Sequence, residues 1–339
     1  MARSAIELGI GLSVQHLPED SQPARFREHL EQVRLARAVG FGSVWASQHY
    51  LSDPFTYFQP VPTLGRVAAE AEGMRLGTGI LLLPLLHPVD VAEQLATLDV
   101  ISEGRLVFGV GLGYRDVENR AMSLDPKDRV TRLVEGLEVI ERLWGGEPVT
   151  YEGKIFQLDN VRISMRPLQR PRPQIWLAAN GDVGVRRAAR HADAWMMNPH
   201  TTLPTLERQL TLFHETRQAF ARPAATELPL IRECYVAPQA ATAFAEARPF
   251  LEGKYAAYRS WEQDKALPPG ESFNLAFEDL AHDRFIIGDP AQVRDEIARY
   301  RERLGATAFI FRLQWPGMDQ ARVLRSIRLL GEEVLPQVV

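Results

Sequence analysis

Residues 289–311, DPAQVRDEIARYRERLGATAFIF, carry the organisation of the whole chain in miniature. Asp289 is a natural helix N-cap, because its side chain can accept a first-turn N–H, and Pro290 suits the first helical position, where its missing N–H costs nothing. Val293, Ile297, Tyr300 and Leu304 fall on one helical face, the apolar stripe of a helix packed against a core. Gly305 stops that helix, and the apolar run Ala308-Phe309-Ile310-Phe311 resumes at once as a strand.

The same grammar recurs elsewhere in the chain. Phe26, Leu30 and Val33 mark a helix that Gly40 ends before Ser43-Val44-Trp45-Ala46-Ser47-Gln48-His49. Residues 91–101 read as a helix ended by Gly104 before the strand-like run 105–111. With 6–13, 76–83, 174–179, 194–197 and 230–236 the strands number eight. Eight short apolar strands alternating with helices predict an α/β fold, a (β/α)8 TIM barrel. An open doubly wound sheet would alternate similarly, but no GxGxxG phosphate turn follows the first strand, which favours closure.

The expected unit is a single barrel domain over 1–339, with long connections at about 145–173 and 250–285. Apolar residues make up 45% and charged residues 24% of the chain, the profile of a globular protein with a sizeable core. A net charge of -4 without basic clusters argues against nucleic acid as a partner. The single cysteine, Cys234, rules out an internal disulfide. Residues 1–11 lack the pattern of a secretion signal and no apolar run reaches membrane-spanning length. A cytoplasmic protein acting on small molecules is expected.

In parallel barrels the active site lies where the C-terminal ends of the strands open. That places Gln15 and His16, Gln48 to Tyr50, Gly79-Ile80 with His87, Gly111 to Arg115, Asn180 to Gly184, Asn198 with His200, and Arg312 to Trp315 at the mouth. His49 stands out as a group able to exchange protons near neutral pH. Asn180-Gly181-Asp182-Val183-Gly184 opens a helix whose N–H groups can receive an anion, and is equally readable as a plain glycine-rich turn capped by Asp182. Leu12, Phe55, Tyr57, Phe58, Trp195, Met196, Met197 and Trp315 are candidates for an apolar substrate pocket or for core. Arg312, a charge ending a barrel strand, calls for an anionic partner in a substrate, a cofactor or a carboxylate. The sequence contains neither HExxH nor a first-strand HxH, neither a GxSxG elbow nor a Walker lysine motif.

Four blocks in order resemble the bacterial luciferase-like flavin monooxygenases over nearly the whole chain: 40–50, 77–88 continuing to Arg105, 108–115, and 175–195. The resemblance implies that His49 sits beside the reactive edge of a flavin and that Gly79-Ile80 forms a non-prolyl cis peptide against its ring. It also implies that Thr78, Gly79, Ile80, Gly111, Tyr114, Asn180, Gly181 and Gly184 bind the cofactor, the last three around its phosphate. The implied cofactor is reduced FMN delivered by a separate flavin reductase. It would react with O2 to a peroxyflavin that oxidises a small organic substrate, under a lid formed by 250–285. F420-dependent hydride transfer and a non-catalytic flavin-binding paralogue are the alternatives within the fold. The resemblance also implies a homodimer. The sequence departs from the family where Gln48 replaces a glutamate, Tyr50 a second histidine, Leu112 a phosphate-binding arginine and Gly111 a cysteine. Light emission is not expected, and Arg115, Arg186 or Arg187 is left to neutralise the phosphate.

Overall fold

A computed structural model describes residues 6–338; of the opening stretch read for a secretion signal, residues 1–5 lie outside the described part. Eight strands form the barrel: β1 (Glu7–Gly11), β2 (Ser43–Ala46), β3 (Arg75–Thr78), β4 (Leu106–Gly111), β5 (Gln174–Ala179), β6 (Ala194–Met197), β7 (Pro229–Val236) and β8 (Ala308–Arg312). All pair in parallel. β1 lies between β8 (Glu7 opposite Ala308) and β2 (Gly9 opposite Ser43), and the pairing of β5 with β4 closes the ring. The expected TIM barrel is therefore observed.

The opening stretch behaves as its residues dictate. Asp289 Oδ1 accepts the Gln292 N–H at 2.9 Å, Gln292 returns its side-chain oxygen to the Asp289 N–H, and Gly305 ends the helix with φ 65°.

Three expectations need correction. The run 76–83 is not one strand: it stops at Thr78, passes a cis Gly79–Ile80 peptide, and resumes as Leu81–Leu82 beside β4. The Leu82 N–H bonds to the Gln48 side-chain oxygen at 2.8 Å. The stretch 145–173 contains an antiparallel hairpin, Val149–Glu152 with Gln157–Val161. The stretch 250–285 begins inside the helix Ala240–Ser260, contains the short helix Phe277–Ala281, and ends in a further parallel strand, Phe285–Gly288, alongside β7.

Inside the barrel, Trp45 and Trp176 stack with ring centroids 5.0 Å apart and planes 22° from parallel. Val107, Met196, Ile231 and Ile310 complete that inner cluster, which is separate from the shell packed between strands and helices. Arg75 closes the N-terminal end, its guanidinium 5.1 Å from the Trp176 ring centre and paired with Glu7 and Glu227, each at 2.9 Å. The barrel interior is thus filled below the mouth, and the cavity bordered by the residues that follow the strands lies at the C-terminal end. Glycine makes this packing possible: a Cβ on Gly77 would collide with the Trp45 ring and one on Gly109 with the Thr78 carbonyl.

Gly77→Ala should therefore lower the urea midpoint by a change worth about 1–3 kcal/mol, the usual cost of overpacking a filled core. Gly65→Ala, on a helix where the added methyl meets nothing within 4 Å, should be neutral or stabilising by up to about 1 kcal/mol. Equal effects at the two sites would contradict the packing argument.

Candidate functional site

The mouth holds a cavity of about 390 Å³. Of the residues expected at a cofactor site, His49, Gly79, Ile80, Tyr114, Asn180, Gly181 and Gly184 line it, together with Leu112 and Arg187. Thr78 and Gly111 stand behind the wall. Thr78 is fully buried and donates its hydroxyl to the Gly109 carbonyl at 2.7 Å. Gly111 gives its missing side chain's space to Ile80, which a Cβ there would strike. The two support the Gly79–Ile80 ledge from below.

His49 follows β2, and its Nδ1 donates to Glu118 Oε1 at 2.9 Å. Glu118 is buried in the helix Asp116–Ala121 that follows β4, and the same oxygen accepts the Tyr50 N–H at 2.8 Å. An acceptor at Nδ1 leaves Nε2 as the nitrogen free to take a proton. Tyr57, Tyr114 and Trp261 surround the imidazole, with centroids 5.8, 5.6 and 5.8 Å away. The Tyr114 hydroxyl is buried without a hydrogen-bond partner, as is Asn198 Nδ2, and both residues line the cavity.

Across the mouth, Gly181 caps the helix Asp182–His191 in an extended conformation, and no side chain caps its first turn. Asp182 is turned aside by Arg208 at 2.7 Å, and Gln209 holds the Asn180 carbonyl at 2.7 Å. The free first-turn N–H groups of this ten-residue helix therefore border the cavity. Among the three arginines considered for an anion there, Arg115 is engaged with the Tyr50 and Leu51 carbonyls and lies over Trp261. Arg186 turns to Thr216. Arg187 reaches the cavity and forms no ion pair among the described residues, and burial lowers its basicity from the ordinary arginine value.

The remaining candidates separate in space. Gln15, Gln48, Asn198, His200, Arg312 and Gln314 line the cavity, whereas His16, His87 and Trp315 do not. Of the apolar set, Leu12 and Tyr57 line it. Trp195 and Met197 pack in the outer shell, Met196 sits in the inner cluster, and Phe58 packs on Phe26, His16 and His29. Trp195, Met196 and Met197 are core because their strand alternates between barrel interior and shell, whereas Phe58 lies outside the strands and is half-buried in its aromatic cluster.

Arg312 finds its anion within the protein: Glu233, fully buried on β7, at 3.4 Å. Glu233 also accepts from Lys254 at 2.7 Å and from the Trp315 indole at 2.6 Å. Neither Glu118, Glu233 nor Lys254 was singled out from sequence. A readable signal existed for one: the adjacent charges Arg232-Glu233 interrupt an otherwise apolar strand, and a buried charge needs partners.

Residues 6–308 match the luciferase-like monooxygenase family model. The chain belongs to the luciferase-like monooxygenase family. It is 25% identical over 332 residues to the oxygenase component of a flavin-dependent trigonelline monooxygenase from Acinetobacter baylyi, covering 94% of this chain and 91% of that one. It is 31% identical over 324 residues to an F420-dependent glucose-6-phosphate dehydrogenase from Microbacterium testaceum, covering 90% and 91%. The crystal structure of the monooxygenase RslO1 from Streptomyces bottropensis superposes with a TM-score of 0.87 at 26% identity, covering 98% of this chain and all of that one. The relatives thus include both flavin-dependent monooxygenases and F420-dependent oxidoreductases. Among the described residues no helix is long and apolar enough to cross a membrane.

Two predictions follow from the geometry. Tyr114→Phe removes a hydroxyl without a partner, so thermal stability should hold or rise by up to about 1 kcal/mol; a loss above that would mean the hydroxyl is satisfied. His16 and His29, 3.2 Å apart, have their basicity lowered by burial to about 4 and about 3, from 6.5. Each is neutral in the fold and takes up a proton more readily when unfolded. Their contribution is complete above pH 6.5 and is lost as pH falls from 6.5 through about 4 for His16 and about 3 for His29. Melting curves across that window should show a decline of up to about 1.4 kcal/mol per pH unit for each histidine, flattened in His29→Leu.

Proposed function

We propose that the chain is a flavin-dependent monooxygenase that takes reduced FMN from a separate reductase and uses O2 to oxidise a small organic substrate. The observation that carries this reading is one cavity bordered on one side by His49, oriented through Nδ1 by Glu118, and on the other by an uncapped helix N-terminus with the unpaired Arg187. A planar group with a phosphate tail fits that pairing. The orphaned Tyr114 hydroxyl and Asn198 amide are donors such a group would satisfy.

Bound reduced FMN supplies the two electrons that, with two protons, let one oxygen atom enter substrate while the other leaves as water. The first turn of the helix Asp182–His191 and Arg187 would hold the phosphate. The Gly79–Ile80 ledge would support the ring. His49 Nε2 would accept and return a proton at the reacting edge, with Glu118 fixing the tautomer. Trp261, whose indole N–H bonds to the Asp53 carbonyl at 3.0 Å, and Gln263 lie over His49's side of the mouth and would exclude water.

The second reading, F420-dependent hydride transfer, draws support from the 31% identical dehydrogenase. Titration with reduced FMN and with reduced F420, followed by oxygen consumption, separates the two: FMN should bind and consume O2, and binding of F420 alone would overturn the proposal. His49→Ala should cut turnover by about 10²–10⁴-fold while reduced FMN still binds. Arg187→Gln should instead weaken FMN binding by about tenfold or more, as expected for a charge-assisted contact. Unchanged turnover in His49→Ala would remove His49 from the chemistry.

A further inference from the structure

We propose that Arg312 forms a subsite for the carboxylate of a singly charged organic acid, so that the substrates of this enzyme are small carboxylic acids. The inference rests on reading the cavity as the place where substrate meets cofactor, and it names the substrate class.

The charge count at this wall is uneven. Lys254 and Arg312 share one carboxylate, Glu233, and no other ion pair involving either cation exists among the described residues. Burial by itself would push the Glu233 carboxyl up, but Lys254 and Arg312 hold it below the ordinary range, so it is ionised. The two cations are not equivalent. Lys254 is buried and takes Glu233 at 2.7 Å, satisfying the carboxylate; Arg312 reaches it with one nitrogen at 3.4 Å. That is a single long bond for a guanidinium with five N–H donors in a planar fork.

The neighbours leave the excess uncompensated. His200 lines the same wall, and burial pushes its basicity well below the ordinary value, so it adds no charge of its own. Arg232, next to Glu233 on β7, turns away to the Asn198 and Thr201 carbonyls and the Tyr300 hydroxyl. Counting Lys254 and Arg312 against Glu233, one excess positive charge stands at this wall, apart from Arg187 on the cofactor side.

One excess charge on a planar fork matches a monoanionic carboxylate, which the fork can bind with two parallel hydrogen bonds. A phosphate dianion would remain half-neutralised. Tyr57 and Tyr258 flank the route from Arg312 towards His49, both lining the cavity and both close enough to interact electrostatically with Arg312. Tyr57 packs edge-on to His49 and bonds to Ser47 at 2.6 Å. Carboxylate at Arg312 and apolar body between the phenols would thus carry the acid's carbon skeleton towards the imidazole.

The test is calorimetric titration of the full chain with acetate, benzoate, phenylacetate and 1-naphthoate, against benzamide and inorganic phosphate. At least one acid should bind, about tenfold to a hundredfold more tightly than benzamide if benzoate is that acid, and more tightly than phosphate. Arg312→Gln should abolish that preference while binding reduced FMN normally, which shows that the variant is folded; Arg312→Lys should restore part of it. Binding of none of the four acids, phosphate exceeding all of them, or unchanged acid binding in Arg312→Gln overturns the proposal. If the acids bind through Arg312 but reduced FMN does not bind, the flavin reading fails and the carboxylate subsite stands. If FMN binds and the acids do not, the reverse holds.

Discussion

The stacked indoles of Trp45 and Trp176 decide where chemistry can take place in this protein. An eight-stranded barrel has an interior just wide enough for side chains to fill, and two indoles with their apolar collar fill its lower half. Buried aromatic rings of this size dominate core energetics. The stack exists because β1, β3 and β4 present glycines inward, where any Cβ would meet indole or backbone. With Arg75 sealing the N-terminal end of the interior, the cavity bordered by His49 and Arg312 lies at the opposite rim, where the loops converge.

That rim is built as two walls of different electrical character. The wall made by β2, β3 and β4 is close to balanced: Glu118 has His49 and Tyr50 as donors, with Arg115 at 3.6 Å, and the Gly79–Ile80 ledge is apolar. The wall from β5 round to β8 is rich in donors, with a helix N-terminus, Arg187, Lys254 and Arg312 against the single carboxylate Glu233. A low-dielectric cavity strengthens each of these contacts relative to water. The cavity therefore carries two separate cationic regions, one at Arg187 beside the helix N-terminus and one at Arg312.

The departures from the family pattern also acquire physical meaning. Gln48, in place of the glutamate the resemblance implied, is a structural tie: its amide bonds to Tyr50 and Gln59 while its oxygen holds the Leu82 N–H just beyond the cis peptide. The carboxylate near His49 is supplied instead by Glu118, from the helix after the fourth strand. A glutamine at one position and a glutamate two strands further along the same wall leave the imidazole with an anionic partner, although the local sequence at 48–50 offers none.

The amino-acid sequence by itself determined what depends on neighbours along the chain. Helix periodicity, glycine stops and short apolar runs gave the order of strands; the ends of those strands pointed to His49 and the turn at 180–184, while the Gly79–Ile80 ledge came from the family resemblance. Long stretches were less legible: the strand Phe285–Gly288 belongs to β7 only once the helix Ala240–Ser260 has folded back. Tertiary structure alone decided which charges meet. His49 and Glu118 are 69 residues apart, and Arg312 and Glu233 are 79 apart; nothing local links either pair. It also turned Trp195, Met196 and Met197 into core and left Tyr57 at the mouth. Strand alternation says that successive side chains face opposite ways, but only closure of the ring says which way is in.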